Sequence, residues 1–164
     1  MSESDNIDLQ IIDLLMEDGR MSAAEIARRV GTISERVVRY RIDRMRAEEL
    51  IRVSAIVNPR KLGFTIVADV VIEVEPAQIS TVARSLAEYE NVSYVACSIG
   101  EMDVSIQIVG RDTTEVYTFA TDVIGKMPGV RKTTTTIVPI VLKDVYQWRV
   151  PRGGGAGPGG RGEQ

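Results

Sequence analysis

The sequence contains no histidine and only one cysteine, Cys97. Without histidine there is no Ser-His-Asp or Cys-His nucleophilic machinery, and the commonest zinc ligand is missing. One cysteine excludes an intrachain disulfide and a multi-cysteine metal site. Long apolar runs are also absent: none approaches the roughly 20 residues of a membrane-spanning helix. The first residues, Met1–Leu9, are acidic and lack the basic start and apolar stretch of a signal peptide, so a cytoplasmic location is expected. What remains for chemistry is carboxylates, hydroxyls, arginines and lysines. Binding is therefore a better expectation than catalysis. No catalytic residue, metal ligand or cofactor is assigned, and no membrane partner is expected.

The 164 residues carry a net charge of −3, which by itself argues against nucleic acid. The average conceals a dipole. Residues 1–19 hold six acids and no base, whereas residues 20–52 hold nine arginines, five acids and no lysine. Residues 53–150 are mildly acidic. Positive charge is thus gathered in one short segment and carried entirely by arginine, whose fork matches phosphate oxygens and guanine edges.

The chain divides into zones: 1–50 helical, 51–63 a hinge, 64–147 alternating strands and helices, and 148–164 a Gly-rich tail. The tail reads as disordered and solvated. In the first zone, Asp5–Glu17 has Ile7, Ile11, Leu14 and Leu15 on one face and is closed by Gly19. Ser22 followed by Glu25 is a capping box opening a second helix, which buries Ala23, Ile26, Ala27 and Val30 and ends at Gly31. Ser34 caps a third helix, in which Val38, Ile42 and Met45 point inward. Leu50 and Ile51 begin an extended segment, Ile51–Val57, ended by Asn58-Pro59.

The next zone alternates with period two from Thr65 to Glu75: Ile66, Ala68, Val70, Ile72 and Val74 share one face. A helix from Pro76, a strand over Val92–Ser98, a tight connection and a strand from Val104 follow. Asp112 caps a helix burying Val116, Phe119, Val123 and Met127, and Val130–Leu142 is the last strand. The order β-α-β-β-α-β makes a ferredoxin-like sheet with both helices on one face. The opposite face is expected to carry Val67, Val71, Val95, Ile99, Val109 and Ile137, too apolar to leave wet. A second copy of the chain is expected to cover it.

Helices two and three, joined over Gly31–Ile33, form a helix-turn-helix of the three-helix, winged type. Ser34, Glu35, Arg36, Arg39, Tyr40 and Arg44 point away from the Val38/Ile42/Met45 face. In such a motif the start of the second helix enters the major groove, where arginine pairs with guanine. Arg28 and Arg29 lie where phosphates pass. A solvated, arginine-rich helix in a plain bundle is the alternative.

With these motifs in place, the sequence resembles the leucine-responsive regulatory protein / AsnC (Lrp/AsnC) family of transcriptional regulators. The resemblance runs through Asp8-Leu9-Gln10-Ile11-Ile12-Asp13-Leu14-Leu15, Asp18-Gly19-Arg20-Met21-Ser22 and Glu25-Ile26-Ala27-Arg28-Arg29-Val30-Gly31. It continues through Leu50-Ile51, Asn58-Pro59, Gly100-Glu101-Met102-Asp103, Met127-Pro128-Gly129-Val130 and Thr133 with Thr135. It covers about residues 5–147 in order, and the ordered set, rather than any one motif, carries it.

The resemblance implies a nucleoid-associated DNA-binding protein that pairs with itself as a dimer, or as an octamer or other even assembly. It also implies an amino-acid effector seated between subunits. By the same resemblance Gly100, Glu101, Met102 and Asp103 form the effector loop, with Thr133 and Thr135 facing it. Asp103 would take the effector's ammonium; Ser98, Thr133, Thr135 and loop amides would take its carboxylate. Plain alternatives are a turn role for Asp103 and β-propensity for the threonines. At the level of function, the alternative is an effector-binding or DNA-compacting relative without operator recognition. Sirohaem decarboxylases share the architecture but are expected to use histidines, which this chain lacks. Three departures from the family pattern stand out: a longer turn before Ser34, Tyr40 on helix three, and Glu49 where glycine is common. A glycine there takes a left-handed conformation cheaply, and a glutamate does not.

Overall fold

The computed structural model describes residues 3–147 with 150 and 151. These divide into two compact units. One holds the described residues up to Ile56 and from Lys143 onward, and the other is Val57–Leu142. The expected disordered tail falls outside the described residues apart from Val150 and Pro151. Val150 packs, half-buried, against the helical unit's core.

The helical unit comprises α1 (Glu3–Glu17), α2 (Ala23–Val30) and α3 (Glu35–Ala47). Ile11, Ile12, Ile26, Val38 and Met45 form its centre, with Ile7, Leu14, Leu15, Ala27 and Ile42 around them. These come from the expected apolar positions, except that Ile12 is buried beside Ile11. Ser22 caps α2, its Oγ accepting from the Glu25 N–H at 3.1 Å. Gly31 closes α2 in the left-handed conformation, φ 77°. At the end of α3 the chain also turns left-handed, and the residue there is Glu49, φ 56°. Leu50 N–H returns to the Met45 carbonyl at 2.8 Å, the bond that needs this twist. Glu49 thus holds a backbone position suited to glycine, at a steric cost of about 1 kcal/mol.

The segment after α3 differs from expectation. Residues 51–58 form no strand, so the helices carry no paired wing among the described residues. Extended residues become a strand only where a ladder partner takes their N–H and C=O groups.

The second unit is a four-stranded antiparallel sheet in the order β2-β3-β1-β4. Its strands are β1 (Ile66–Val74), β2 (Val92–Cys97), β3 (Val104–Gly110) and β4 (Val130–Ile137). Two helices, α4 (Ile79–Ala87) and α5 (Thr113–Thr118), cover one face. The arrangement is the ferredoxin-like α+β fold. Ala68, Val70, Ile72 and Val74 of β1 meet Val104, Ile106 and Ile108 of β3 beneath Val82, Leu86, Val116, Phe119 and Ile124. Burying each larger side chain stabilises the fold by about 1.5–3 kcal/mol. After Thr118 the helix loosens to π geometry over Phe119–Val123 and then tightens to 3-10 over Ile124–Lys126. This change of pitch turns Ile124 fully into the core and leaves Val123 and Met127 only partly buried.

β4 is shorter than the expected Val130–Leu142. Val138 N–H makes a last bond to the Val67 carbonyl at 2.8 Å. Pro139 follows, and proline has no N–H with which to continue a ladder.

The open face also departs from expectation. Val67, Val71 and Val109 lie on it, Val67↔Val109 being a direct pair. Val95 does not: it pairs with Ile106 and packs under the helices, because an irregularity between Val92 and Tyr94 shifts the alternation. Ile137 pairs with Ala68 and so belongs to the helix-covered side, although it is exposed at the strand end. Ile99 sits in the β2–β3 connection, fully exposed. The open face carries polar pairs instead: Gln107 donates to Asp69 at 3.0 Å, and Lys132 to Glu73 at 3.1 Å.

Candidate DNA-binding surface and effector loop

The α2–α3 pair places Ser34 at the head of α3, where its Oγ accepts from the Val37 N–H at 3.4 Å. From that capped start, Glu35, Arg36, Arg39 and Tyr40 emerge to solvent on the side opposite buried Val38 and Met45. Helical periodicity alone produces this division. Arg44 is the exception. Expected to be outward, it is two-thirds buried and its guanidinium turns to Asp8 of α1. Arg41 joins the same carboxylate at 2.8 Å. Asp8 thus clamps α3 to α1 through two arginines, and Arg44 serves this clamp and not an outer surface. The pairing was invisible in sequence because the partners lie 33 and 36 residues apart.

Arg28, Arg29 and Arg39 are also engaged, at the surface. Arg28 grips Glu25 with Nε at 2.9 Å and Nη2 at 2.5 Å. Arg29 donates to Glu25 at 3.0 Å and, through Nη1, to Glu17 at 3.0 and 3.2 Å. Arg39 pairs with Glu35 one turn back on α3. Arg36 makes no ion pair with any described residue. The hydrogen bonds from Arg28 and then Arg29 hold the Glu25 carboxyl at about 2, well below the usual glutamate value. The capping box is therefore half made: Ser22 caps the helix, while both Glu25 oxygens go to guanidiniums. Glutamate–arginine spacings of three and four on α2 made these pairs legible in principle.

In the second unit, Ser98, Gly100, Glu101, Met102 and Asp103 lie together on the loop from β2 to β3. Ser98 N–H donates to the Asp103 carbonyl at 2.8 Å, closing the loop. Asp103 N–H donates to the Ile72 carbonyl at 3.1 Å, anchoring it to the sheet centre. The Asp103 side chain has its own partner. Glu73 pairs with Lys132 and Val74 with Val130, so Arg131 is the extra residue of a β-bulge. Val74 N–H, beside that bulge, donates to Asp103 Oδ2 at 2.8 Å. Arg131 donates to the Val74 carbonyl at 3.0 Å and lies 3.9 Å from the same carboxylate. Asp103 therefore stitches the loop to the bulge, and Arg131 is a residue that sequence reading missed.

Thr133 and Thr135 stand opposite Ile72 and Val70. Directly opposed residues share a face, so both threonines belong to the helix-covered side; Thr134 and Thr136 take the open face. They were expected to face the loop. The bulge at Arg131 sets this parity, and no count along β4 alone reveals it. Of the two, Thr133 is at the loop's end of the sheet, in the row Cys97, Val104, Ile72. A separate shallow groove lies between Tyr89, Asn91, Arg111 and Phe119, and contains none of the expected effector residues. Among the described residues, no helix is long and apolar enough to cross a membrane.

Comparison with known proteins agrees on both units. A family model for the AsnC-type helix-turn-helix domain matches residues 5–46, and one for the Lrp/AsnC ligand-binding domain matches residues 67–147. An uncharacterised HTH-type transcriptional regulator of Pyrococcus horikoshii is 37% identical over 145 residues, covering 88% of this chain and 91% of its own. The HTH-type transcriptional regulator LrpA of the same organism is 32% identical over 140 residues, covering 85% and 99%. Among solved structures, Escherichia coli AsnC superposes with a TM-score of 0.77 at 22% identity, over 87% of this chain and 97% of that one. A Neisseria meningitidis transcriptional regulator in complex with L-Met superposes with a TM-score of 0.81 at 19% identity, over 92% and 96%. At those identities the structural likeness shows the fold alone.

Proposed function

We propose, for a chain that belongs to the Lrp/AsnC family of transcriptional regulators, that its α2–α3 pair reads specific operator sequences. The exposed start of α3 carries this reading: a capped helix with Arg36, Arg39 and Tyr40 outward and Arg28 and Arg29 alongside. Arg36 is the base reader, since it is the one of these arginines that no carboxylate already holds. Arg28, Arg29 and Arg39 position the phosphate backbone. Replacing Arg36 with alanine is expected to lower affinity for duplexes selected from a random pool about ten- to a hundredfold. Affinity for random duplex should change far less. Equal losses on both, measured by fluorescence anisotropy, would place Arg36 on phosphate instead.

The ligand-binding domain takes an amino acid or related small molecule at the loop Ser98–Asp103, and it does so in a dimer or larger even assembly. Support comes from the family's ligand-binding module and from the likeness to a regulator bound to L-Met. In this reading Asp103 and Arg131, joined through Val74, shape the loop, while Ser98, Gly100, Glu101 and Met102 offer hydroxyl, amide and carboxylate groups to the effector. The ligand changes the balance among assemblies, and hence which DNA sites can be spanned. Analytical ultracentrifugation with each of the twenty amino acids tests both parts at once. A species larger than a monomer, redistributed by at least one amino acid, is the expected result; a monomer indifferent to all of them refutes the reading.

A further inference from the structure

The two arginines at the end of α2 already have anionic partners within the protein. Both oxygens of Glu25 accept from guanidiniums: Oε2 from Arg28, Oε1 from Arg28 and Arg29. Glu17 of α1 takes the other end of Arg29. The spacing of Glu25 from Ser22 suits a reciprocal cap, yet its carboxylate is given to the arginines. We propose that Glu25, assisted by Glu17, stands in for a DNA phosphate and so weakens the grip of Arg28 and Arg29 on the DNA backbone whatever its sequence. This rests on the DNA-binding reading above.

The physical argument is competition. A free surface arginine neutralises a phosphate and releases a condensed counterion, and this sequence-independent gain supplies essentially all non-specific affinity. An arginine that must first leave a carboxylate gains less, and the carboxylate left behind repels the phosphate. Arg28 is well suited to such exchange: its side chain is 73% exposed, so it can swing between the two anions without leaving water. The Glu25 carboxyl, held at about 2, remains charged throughout the neutral range. The penalty is the same on every duplex. Arg36 makes no such pair with any described residue, so its contact with a base carries no such penalty. Because specific and random duplex bear it alike, the penalty lowers the sequence-independent affinity and leaves the ratio of specific to non-specific affinity to the base contacts.

The test uses the full chain, a labelled duplex of random sequence and a potassium chloride series read by anisotropy. Glu25→Gln keeps the Ser22 cap, which uses only the backbone N–H of residue 25. It is expected to bind random duplex more tightly and to steepen the log–log salt slope by about one to two. Glu17→Gln frees only part of Arg29 and should steepen it by less; it carries the test if Glu25→Gln does not fold. In an Arg28→Gln/Arg29→Gln background Glu25→Gln should leave the slope unchanged. An unchanged slope in the parent background overturns the proposal. So does an equal increase in the double-arginine background, which would make the effect one of net charge only. If the unaltered chain binds no duplex at all, the DNA-binding reading falls and this proposal with it.

Discussion

Replacing Asp8 with alanine is expected to destabilise the helical unit by about 3 kcal/mol, the low end of the range for removing one partner from a buried ion pair, because Arg44 keeps a third of its side chain in water. Asp8 is the sole buried charged residue among those described, and it faces two arginines on α3. Arg41 and Arg44 are mostly withdrawn from water, at 16% and 33% side-chain exposure. Arg44 Nε already lacks a hydrogen-bond partner. Without the carboxylate, the Arg44 guanidinium would lose its closest anion. Asp8→Asn keeps the shape and one acceptor, so a smaller loss is expected. Urea unfolding followed by helical circular dichroism, with amide exchange on α3 to locate the change, reads the effect. A loss below about 0.5 kcal/mol, typical of exposed pairs, would mean that the clamp contributes nothing.

Ile72→Ala is expected to cost the sheet unit about 3–4 kcal/mol, from lost transfer energy plus the cavity left behind. Ile72 is fully buried in the central strand, between Val104 and Thr133 in neighbouring strands and under the helices. Its carbonyl also receives the Asp103 N–H. The variant should therefore loosen the Ser98–Asp103 loop as well as the core, visible as faster amide exchange at Asp103. Ile72→Val removes one methylene and should cost about 0.5–1.5 kcal/mol. A variant as stable as the parent, with Asp103 exchange unchanged, would show that this row of the sheet carries neither role.

Both experiments probe features of different visibility in the sequence. That Ile72 is buried follows from alternation along β1, a pattern of period two with one apolar face. That Asp8 is buried does not: an aspartate early in an acidic helix reads as a solvated favourable end charge. Its partners are fixed by how α3 crosses α1, and no local pattern encodes a contact over 33 residues. Glu25 lies between these cases. The capping-box pattern pointed to the right helix start, yet the same glutamate also sits three and four residues before two arginines. Only the side-chain geometry decides between the two partners.

The sheet shows the same division. Alternation assigned Val67, Val71 and Val109 to the open face correctly, and failed for Val95 and Ile137, which lie beside an irregularity and at a strand end. Thr133 and Thr135 take the helix-covered side because the bulge at Arg131 sets the parity of β4. A bulge adds one residue to one strand and inverts every later assignment, without a mark in the residues it displaces.

What the sequence determined alone is the order of elements, the caps at Ser22 and Ser34, the concentration of arginine in 20–52, and the family. These rest on interactions within a few residues, or on composition, and so are written locally. The tertiary structure decided which charges are free. It turned Arg44 inward to Asp8, paired Arg28, Arg29 and Arg39 with carboxylates, left Arg36 without an ion pair among the described residues, and gave Asp103 to Val74 and Arg131. A charge finds its partner through space, and its distance along the chain does not limit the search.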